Sequence, residues 1–479
     1  MLRFHNSLTR QTEPFEPLEA PKVRVYNCGP TVYSSPHIGN YRAYVFTDLL
    51  RRYLDYRGYD VIQVMNLTDV GHLRDEENDG GEDRMEQAAR KEKLDPWKIA
   101  EKYTQEFFAG LELLNIRPAH EYPRATDHIA EMIEIVERLI ADDHAYVVDG
   151  DVFFDVQSFD GYGKLSGNTT DGELIEGASE RVSDAVMAKK RNPRDFALWK
   201  TDAQHIMQWD SPWGRGFPGW HIECSAMSRK YLGDTLDIHT GGVDNKFPHH
   251  ECEIAQSEAF SGRTFVRTWL HVSHLNLSGE KMSKSEGNVL LPEHLVEDGF
   301  TPAEIRYYLL SVHYRQPMTF SRDNLKASAN ALDRILNFVD ALAHRAEHGP
   351  NDITSVGVME LIDEARARFV AAFDDDLNSS LGLAALFDLM TALNQRELSS
   401  HDAATALHFC REIDQVLGVL PAADDAANDA DTDIDARVAA RQAAREAKDF
   451  AEADRLRDEL LAEGIEILDL KDGVRWRRK

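Results

Sequence analysis

Basic residues are scarce relative to acidic ones in this 479-residue chain. Its 54 Lys and Arg stand against 83 Asp and Glu, a net charge of −29. Phosphate contacts need cations, so this balance lowers the expectation of a nucleic-acid partner. It does not exclude one, because net charge sets the long-range field while binding is decided by local patches. Much of the acid is concentrated in residues 75–79 (DEEND) and 424–435. Cysteine is also sparse. Cys28, Cys224, Cys252 and Cys410 are too scattered for a disulfide framework and fit a reducing cytoplasm. No apolar run approaches the roughly 18 residues that span a bilayer, so no membrane partner is expected. The opening residues, MLRFHNSLTRQTEPFEP, lack the apolar core of a signal peptide. No internal repeat is present.

What is there reads as a globular α/β protein. Hydrophobic residues make up 42% and charged residues 29%, ordinary values for a folded chain, and the length predicts roughly three or four domains. Residues 22–27 (KVRVYN) predict a buried strand, and Cys28-Gly29-Pro30 breaks it. A helix follows from Tyr41, with Val45, Leu49, Leu50, Tyr53 and Leu54 on one side and Gly58 as its stop. Residues 60–67 (DVIQVMNL) predict the next strand. This order implies a parallel sheet with its ligand at the C-terminal strand ends. Residues 71–85 read as an acidic, Gly-rich loop, 95–140 as helical, and 146–199 as an insertion of short strands and turns. The sheet pattern resumes at residues 219–224 (GWHIEC) and 235–239 (TLDIH), and 301–420 is helical almost throughout. Residues 421–433 read as a linker. After it a helix from about Ala436, another near 451–463 and a strand ending in RWRRK make a small terminal unit.

The expected architecture is therefore α/β: a Rossmann-type parallel-sheet catalytic domain (1–128 and 206–268) with an inserted domain (129–205). A segment at 269–325, a helical bundle at 326–420, the linker, and a small α+β unit at 434–479 follow.

Two short segments carry chemistry. The first is Pro36-His37-Ile38-Gly39-Asn40. In isolation such a match is usually an ordinary helix start. In this context His37 and Asn40 lie one turn apart at the positive end of a helix dipole, where phosphate binds, and Gly39 lets a nucleotide approach the backbone. The second is Lys281-Met282-Ser283-Lys284-Ser285, between a strand-like run at 272–277 and a turn. Such stretches are usually solvated loops. Nucleotidyl transfer, however, needs positioning and charge stabilisation more than covalent chemistry. Two lysines on a closing loop supply both, with Lys284 as the main phosphate contact and Lys281 supporting. In this order the segments resemble the two ATP-binding signatures of class I aminoacyl-tRNA synthetases, whose first signature often has a second His where this chain has Asn40.

A third constellation is dispersed. His249 and Glu253 are four apart, so on a helix they share a face. With Cys28 and Cys224 they would offer a zinc ion S, S, N and O donors. The alternative is that the cysteines are small buried hydrophobes and His249 caps a helix. Cys252, at i+3 from His249, is a further candidate for the same ion.

The residues around these positions make the resemblance specific. CGPTVY from Cys28, GWHIECSAM from Gly219 and FPHHECEIAQSE from Phe247 are similar to cysteinyl-tRNA synthetases, essentially end to end. The match includes RNPRDF from Arg191, and Trp199-Lys200. The resemblance implies one zinc per subunit held by Cys28, Cys224, His249 and Glu253, binding the thiolate of substrate L-cysteine. It implies ATP with Mg²⁺ at His37, Gly39, Asn40, Asp244 and the two lysines. Thr31, Thr68 and Trp220 are the expected substrate contacts, with Asp69 beside Thr68; the alternative for Trp220 is a place in the core. The inserted domain is expected to meet the tRNA acceptor end. In the terminal unit Arg437, Arg441, Arg445 and Lys448 lie near one helix face, and Arg475-Trp476-Arg477-Arg478-Lys479 joins charge to an aromatic. Charge runs are usually solvated faces, but this combination can also clamp unpaired bases. The resemblance assigns Arg437, Arg441 and Trp476 to the anticodon of cysteine tRNA. A cytoplasmic monomer is expected. The rivals are a ligase joining cysteine to an amino-sugar, and a non-catalytic RNA-binding paralogue.

Overall fold

The computed structural model describes residues 1–71, 73–75, 80–168, 188–202, 205–277, 280–281, 289–351, 357–421, 429–470 and 473–478. The chain divides into two units, Met1–Gly418 and Val419–Lys479. In the first, β1 (Lys22–Asn27) is followed by α1 (Ile38–Tyr56) and β2 (Asp60–Met65). Then come α2 (Trp220–Leu232), β3 (Leu236–Gly242), α3 (His249–Ser261) and β4 (Val266–Val272). The sheet order is β4-β3-β1-β2, with every pair parallel. Val23, Val25, Tyr26, Val64, Leu236 and Ile238 are buried in it, as continuous apolar strands covered on both faces should be. From β1 the chain moves to β2 on one side, and later to β3 on the other. The strand order reverses between β1 and β3, so a crevice opens beyond their ends. Asn27 is level with Met65 and Thr240, and Gly242 with Val272, which brings Cys28, Asn66 and Ser273 to one edge. Gly58 has φ +82 and closes α1 as expected.

The GWHIEC stretch read as sheet is the first turn of α2. Residues 221–228 of that helix are all buried, so no polar stripe marks a 3.6-residue period. Periodicity cannot separate such a helix from a buried strand. Between β2 and α2 a helix at Ile129–Ala141 leads to a four-stranded antiparallel sheet. Its strands are Ala145–Val148, Asp151–Phe154, Phe196–Lys200 and Phe217–Pro218. Phe154 stacks on Phe196 there, centroids 5.0 Å apart.

His205 pins this region to the hairpin that follows β2. Its Nε2 lies 2.9 Å from Asp83 Oδ2, its Nδ1 2.7 Å from the Met207 carbonyl, and its ring stacks on Phe217 at 3.9 Å. Burial would lower the imidazole pKa, but the Asp83 carboxylate outweighs it and the net shift is upward. A raised folded-state pKa means that the stabilisation is complete below the ordinary value of about 6.5 and fades as pH rises through the folded value. Amide protection across residues 80–92, the exchange rate corrected for its intrinsic base catalysis, should therefore be highest near pH 6 and fall toward pH 8.5. In His205→Gln the protection should not depend on pH in this way. A wild-type profile that runs the other way would contradict the pairing.

After β4, strands Leu275–Leu277, Glu280–Lys281 and Met318–Phe320 form a small sheet. Helices Arg322–His348, Val358–Asp374, Ser379–Asn394 and Ser400–Leu417 then pack as a bundle. In the second unit, helices Asp429–Glu446 and Phe450–Ala462 pack with an antiparallel pair, Ile465–Leu470 and Gly473–Arg478. Ile434, Val438, Leu460 and Ile465 make its core. Its first helix starts at Asp429, inside the stretch read as linker. Acidic residues suit a helix N-terminus, where they complement the dipole, so low apolar periodicity there does not mean low helicity. Among the described residues no helix is long and apolar enough to cross a membrane.

Candidate active site and metal centre

His37 caps α1. Its Nδ1 accepts the Asn40 N–H at 3.2 Å, and Asn40 Oδ1 accepts the His37 N–H at 3.0 Å. The pair is thus a reciprocal capping box as well as part of a cleft wall. Asn in place of a second His provides the carboxamide that completes the box. The cleft is lined by Cys28, His37, Gly39, Asn40, Asp244 and His274 among others. Asp244 Oδ2 lies 3.3 Å from His274 Nδ1. Gly29 is required by packing: a Cβ there would sit 1.8 Å from the Asn66 carbonyl oxygen. The Ile38 N–H donates to the Leu290 carbonyl at 2.9 Å, tying the start of α1 to the chain just beyond residues 282–288. The backbone of Lys281 pairs with Asn276. Lys284 lies outside the described residues.

One end of the cleft holds a cluster of donors. Atoms of Cys28, Cys224, His249 and Glu253 all lie within 4.8 Å of one another. Cys28 arrives at the end of β1, Cys224 from α2, and His249 and Glu253 from one face of α3, where His249 Nε2 is 3.0 Å from Glu253 Oε1. A second set, Cys28, His239, His250 and Glu253, shares two members with the first. The first offers two soft sulfurs and suits zinc better. His239 and His250 then serve as supports. His239 Nε2 sits 3.0 Å from Glu253 Oε2, and His250 Nδ1 lies 2.9 Å from His271 Nε2. Such outer partners orient ligands.

Electrostatics argue that this cluster awaits a cation. Burial pushes both the Cys28 and Cys224 thiols up, Cys224 far up. Burial also opposes ionisation of His249 and Glu253, but their mutual attraction outweighs it. The imidazole rises to about 10, and the carboxyl, held down by His239 and His249, falls to about 2. The two thiols and the imidazole thus hold protons that they would release to a metal, while Glu253 already offers it an anion. The residues present therefore fit a zinc ion.

The rest of HHECE explains why so polar a helix is buried. Glu251 accepts the N–H groups of Gly163 (2.9 Å) and Ser166 (2.7 Å), docking the insertion onto α3. Cys252 belongs to neither donor set; its Sγ is 3.9 Å from the Tyr162 hydroxyl. Trp220 lies against His249 with centroids 4.3 Å apart. Thr68 is buried and donates to Glu223 at 2.8 Å, and Thr31 pairs with it across a bridge. Both Asp69 oxygens accept from Thr126, at 2.9 and 2.7 Å, so this carboxylate is committed to the scaffold. Residue patterns missed His239 and His271. The available signal was a histidine at an otherwise apolar position of a buried strand.

The terminal unit treats its three expected contacts differently. Arg441 is only 6% exposed, so it belongs to the interior rather than to an RNA-facing surface. Its neighbours on the helix wheel include Val438, and packing claims the position. Arg437 is exposed on one side and forks onto Glu463 at 2.7 and 2.8 Å. Trp476 donates to Asp435 at 2.6 Å, and the two line an open groove with Val438, Gln442 and Val474.

Residues 14–330 match the family model described as tRNA synthetases class I (C) catalytic domain. Residues 368–421 match a DALR domain, and 427–477 the cysteinyl-tRNA ligase anticodon binding domain. A cysteine–tRNA ligase of Symbiobacterium thermophilum is 47% identical, covering 100% of this chain and 99% of the relative. That of Geobacillus thermodenitrificans is 44% identical, with the same coverage. Among solved structures, Mycobacterium tuberculosis methionyl-tRNA synthetase bound by methionyl-adenylate superposes with a TM-score of 0.60 at 18% identity, covering 83% of this chain and 92% of that one. A LeuRS–tRNA–LeuAMS complex from Agrobacterium radiobacter gives 0.63 at 13% identity, covering 85% of each. The two structural likenesses bear on the fold alone.

Proposed function

The chain belongs to the cysteine–tRNA ligases of the class I aminoacyl-tRNA synthetases, and we propose that it activates L-cysteine with ATP in the cleft beyond β1 and β3, then transfers it to tRNA. One observation carries the reading: Cys28 belongs both to the S, S, N, O donor set and to the lining of the cleft that His37 and Asn40 cap. A nucleotide on the capped helix and an amino acid on the donor set would meet there.

The substrate carboxylate, already ionised, attacks the α-phosphate. A new P–O bond forms to the carboxylate, and the bond to pyrophosphate breaks, with Mg²⁺ arriving on ATP. His37, Gly39 and Asn40 hold the phosphates at the positive end of α1. Lys284 and Lys281 take up the charge of the leaving pyrophosphate, and Asp244 holds the ribose or the substrate amine. Thr31, Thr68 and Trp220 shape the amino-acid pocket. Zinc on Cys28, Cys224, His249 and Glu253 would supply a soft Lewis acid that prefers a thiolate to an alcohol, a discrimination that a neutral pocket makes weakly. The reading places the enzyme in the cytoplasm, in keeping with four free cysteines, and takes it as a monomer. Cysteine-dependent ATP–pyrophosphate exchange tests the first step. Its absence from the folded, metal-loaded protein would refute the reading.

The terminal unit is assigned to the anticodon through Arg437 and Trp476, with Arg441 holding the helix behind them. A chain ended after Ala423 keeps every cleft and metal residue. Exchange should survive nearly intact while charging of cysteine tRNA falls sharply, with a shallower salt dependence as phosphate contacts are lost. Equal charging by the truncated and full chains would remove the anticodon role. Transfer to an amino-sugar instead of tRNA would favour the rival ligase.

A further inference from the structure

Three arginines on or against α1 are almost wholly buried, and two of them share one carboxylate. Arg52 and Arg306 reach Asp48 Oδ2 at 2.7 and 2.6 Å. Arg42, 2% exposed, does not. Its Nη1 donates to the carbonyls of Ser273 and His274, 2.7 Å each, and its Nη2 to those of Gln316 (2.7 Å) and His313 (3.3 Å). Among the described residues no carboxylate pairs with Arg42, and its Nε has no hydrogen-bond partner. Burial pulls the guanidinium down to about 10, which leaves it a cation at neutral pH. A buried charge without a counter-charge is strongly unfavourable, so its retention asks for a reason.

The location of the four carbonyls supplies one. Ser273 and His274 line the cleft, as do Asn40 and Ala43 from the same turn of α1 as Arg42. The chain then enters Leu275–Leu277, which pairs with Glu280–Lys281. Ser273 N–H donates to Tyr314 O at 2.8 Å, and Met318 N–H to His274 O at 2.9 Å. Arg42 therefore ties the helix capped by His37 to the segment that leads into the lysine-bearing stretch and to residues 313–316, which precede Met318–Phe320, the strand paired with Leu275–Leu277.

We propose that Arg42 is a positioning residue for cysteine activation: it fixes the Ser273–His274 wall and the start of the strand Leu275–Leu277 relative to His37. This rests on the cleft being the ATP site. Lysine keeps the charge but not the planar fork, and glutamine keeps neither. In full-length enzyme, Arg42→Gln should raise the ATP KM and lower kcat of cysteine-dependent exchange, together about 10²-fold, the scale of a displaced reacting group. Arg42→Lys should fall between Gln and wild type. Zinc content and cysteine affinity, measured by equilibrium titration, should match wild type in both. A merely structural role would depress cysteine binding and ATP kinetics alike. In wild-type enzyme a non-hydrolysable ATP analogue should slow amide exchange at Ser273 and Met318, a readout that does not depend on either variant folding. Folded variants with wild-type ATP kinetics, or amides indifferent to the analogue, would overturn the proposal. Wild-type enzyme without cysteine-dependent exchange would instead overturn the reading beneath it.

Discussion

Cys224→Ser is expected to lose zinc and to raise the cysteine KM by at least about 10²-fold, with the ATP KM nearly unchanged. Removing an outer partner of a ligand already costs about 10–100-fold in metal affinity, and Cys224 is proposed as a ligand itself. A serine hydroxyl is hard and stays protonated where a thiol would surrender its proton to the ion. Cys224 is buried on α2, away from the nucleotide end of the cleft, so the loss should fall on the amino-acid side. Metal analysis and paired KM measurements decide it. A serine variant with full zinc and an unchanged cysteine KM would exclude Cys224 from the site.

Much of this site was legible because its chemistry lies in short segments. HIGN announced a helix start, and α1 begins at Ile38 with His37 as its cap. The spacing of His249 and Glu253 placed both on one helical face, and the structure brings Cys28 and Cys224 to them. What stayed hidden lies in long-range contacts that no local pattern encodes. GWHIEC looked like a strand because a helix buried all round shows no stripe. Arg441 looked like an exposed cation because charge usually means surface, yet packing in a small unit claimed it. Arg42 carries no local signal at all, because its four carbonyl partners come from residues more than two hundred positions away.

Lys284→Ala should slow activation by about 10²–10³-fold, the usual cost of removing one electrostatic contact that strengthens in the transition state. ATP binding should change much less, because the contact tightens as pyrophosphate leaves. Single-turnover adenylate formation at saturating ATP separates the two. If rate and affinity fell equally, Lys284 would instead be a ground-state ligand. The contrast with Arg42→Gln is informative: Arg42 holds the Ser273–His274 wall of the proposed ATP cleft, so its loss should reach KM as well as kcat.

Whether a metal held by Cys28, Cys224, His249 and Glu253 selects the substrate by its sulfur can be observed directly. Full-length enzyme carrying Co²⁺ in place of zinc should show thiolate-to-metal charge-transfer absorption from its two cysteine ligands. L-cysteine should increase that band by roughly the share of one further thiolate, and L-serine at the same concentration should leave it unchanged. A band indifferent to L-cysteine in enzyme that still charges tRNA with it would show that the sulfur is recognised elsewhere.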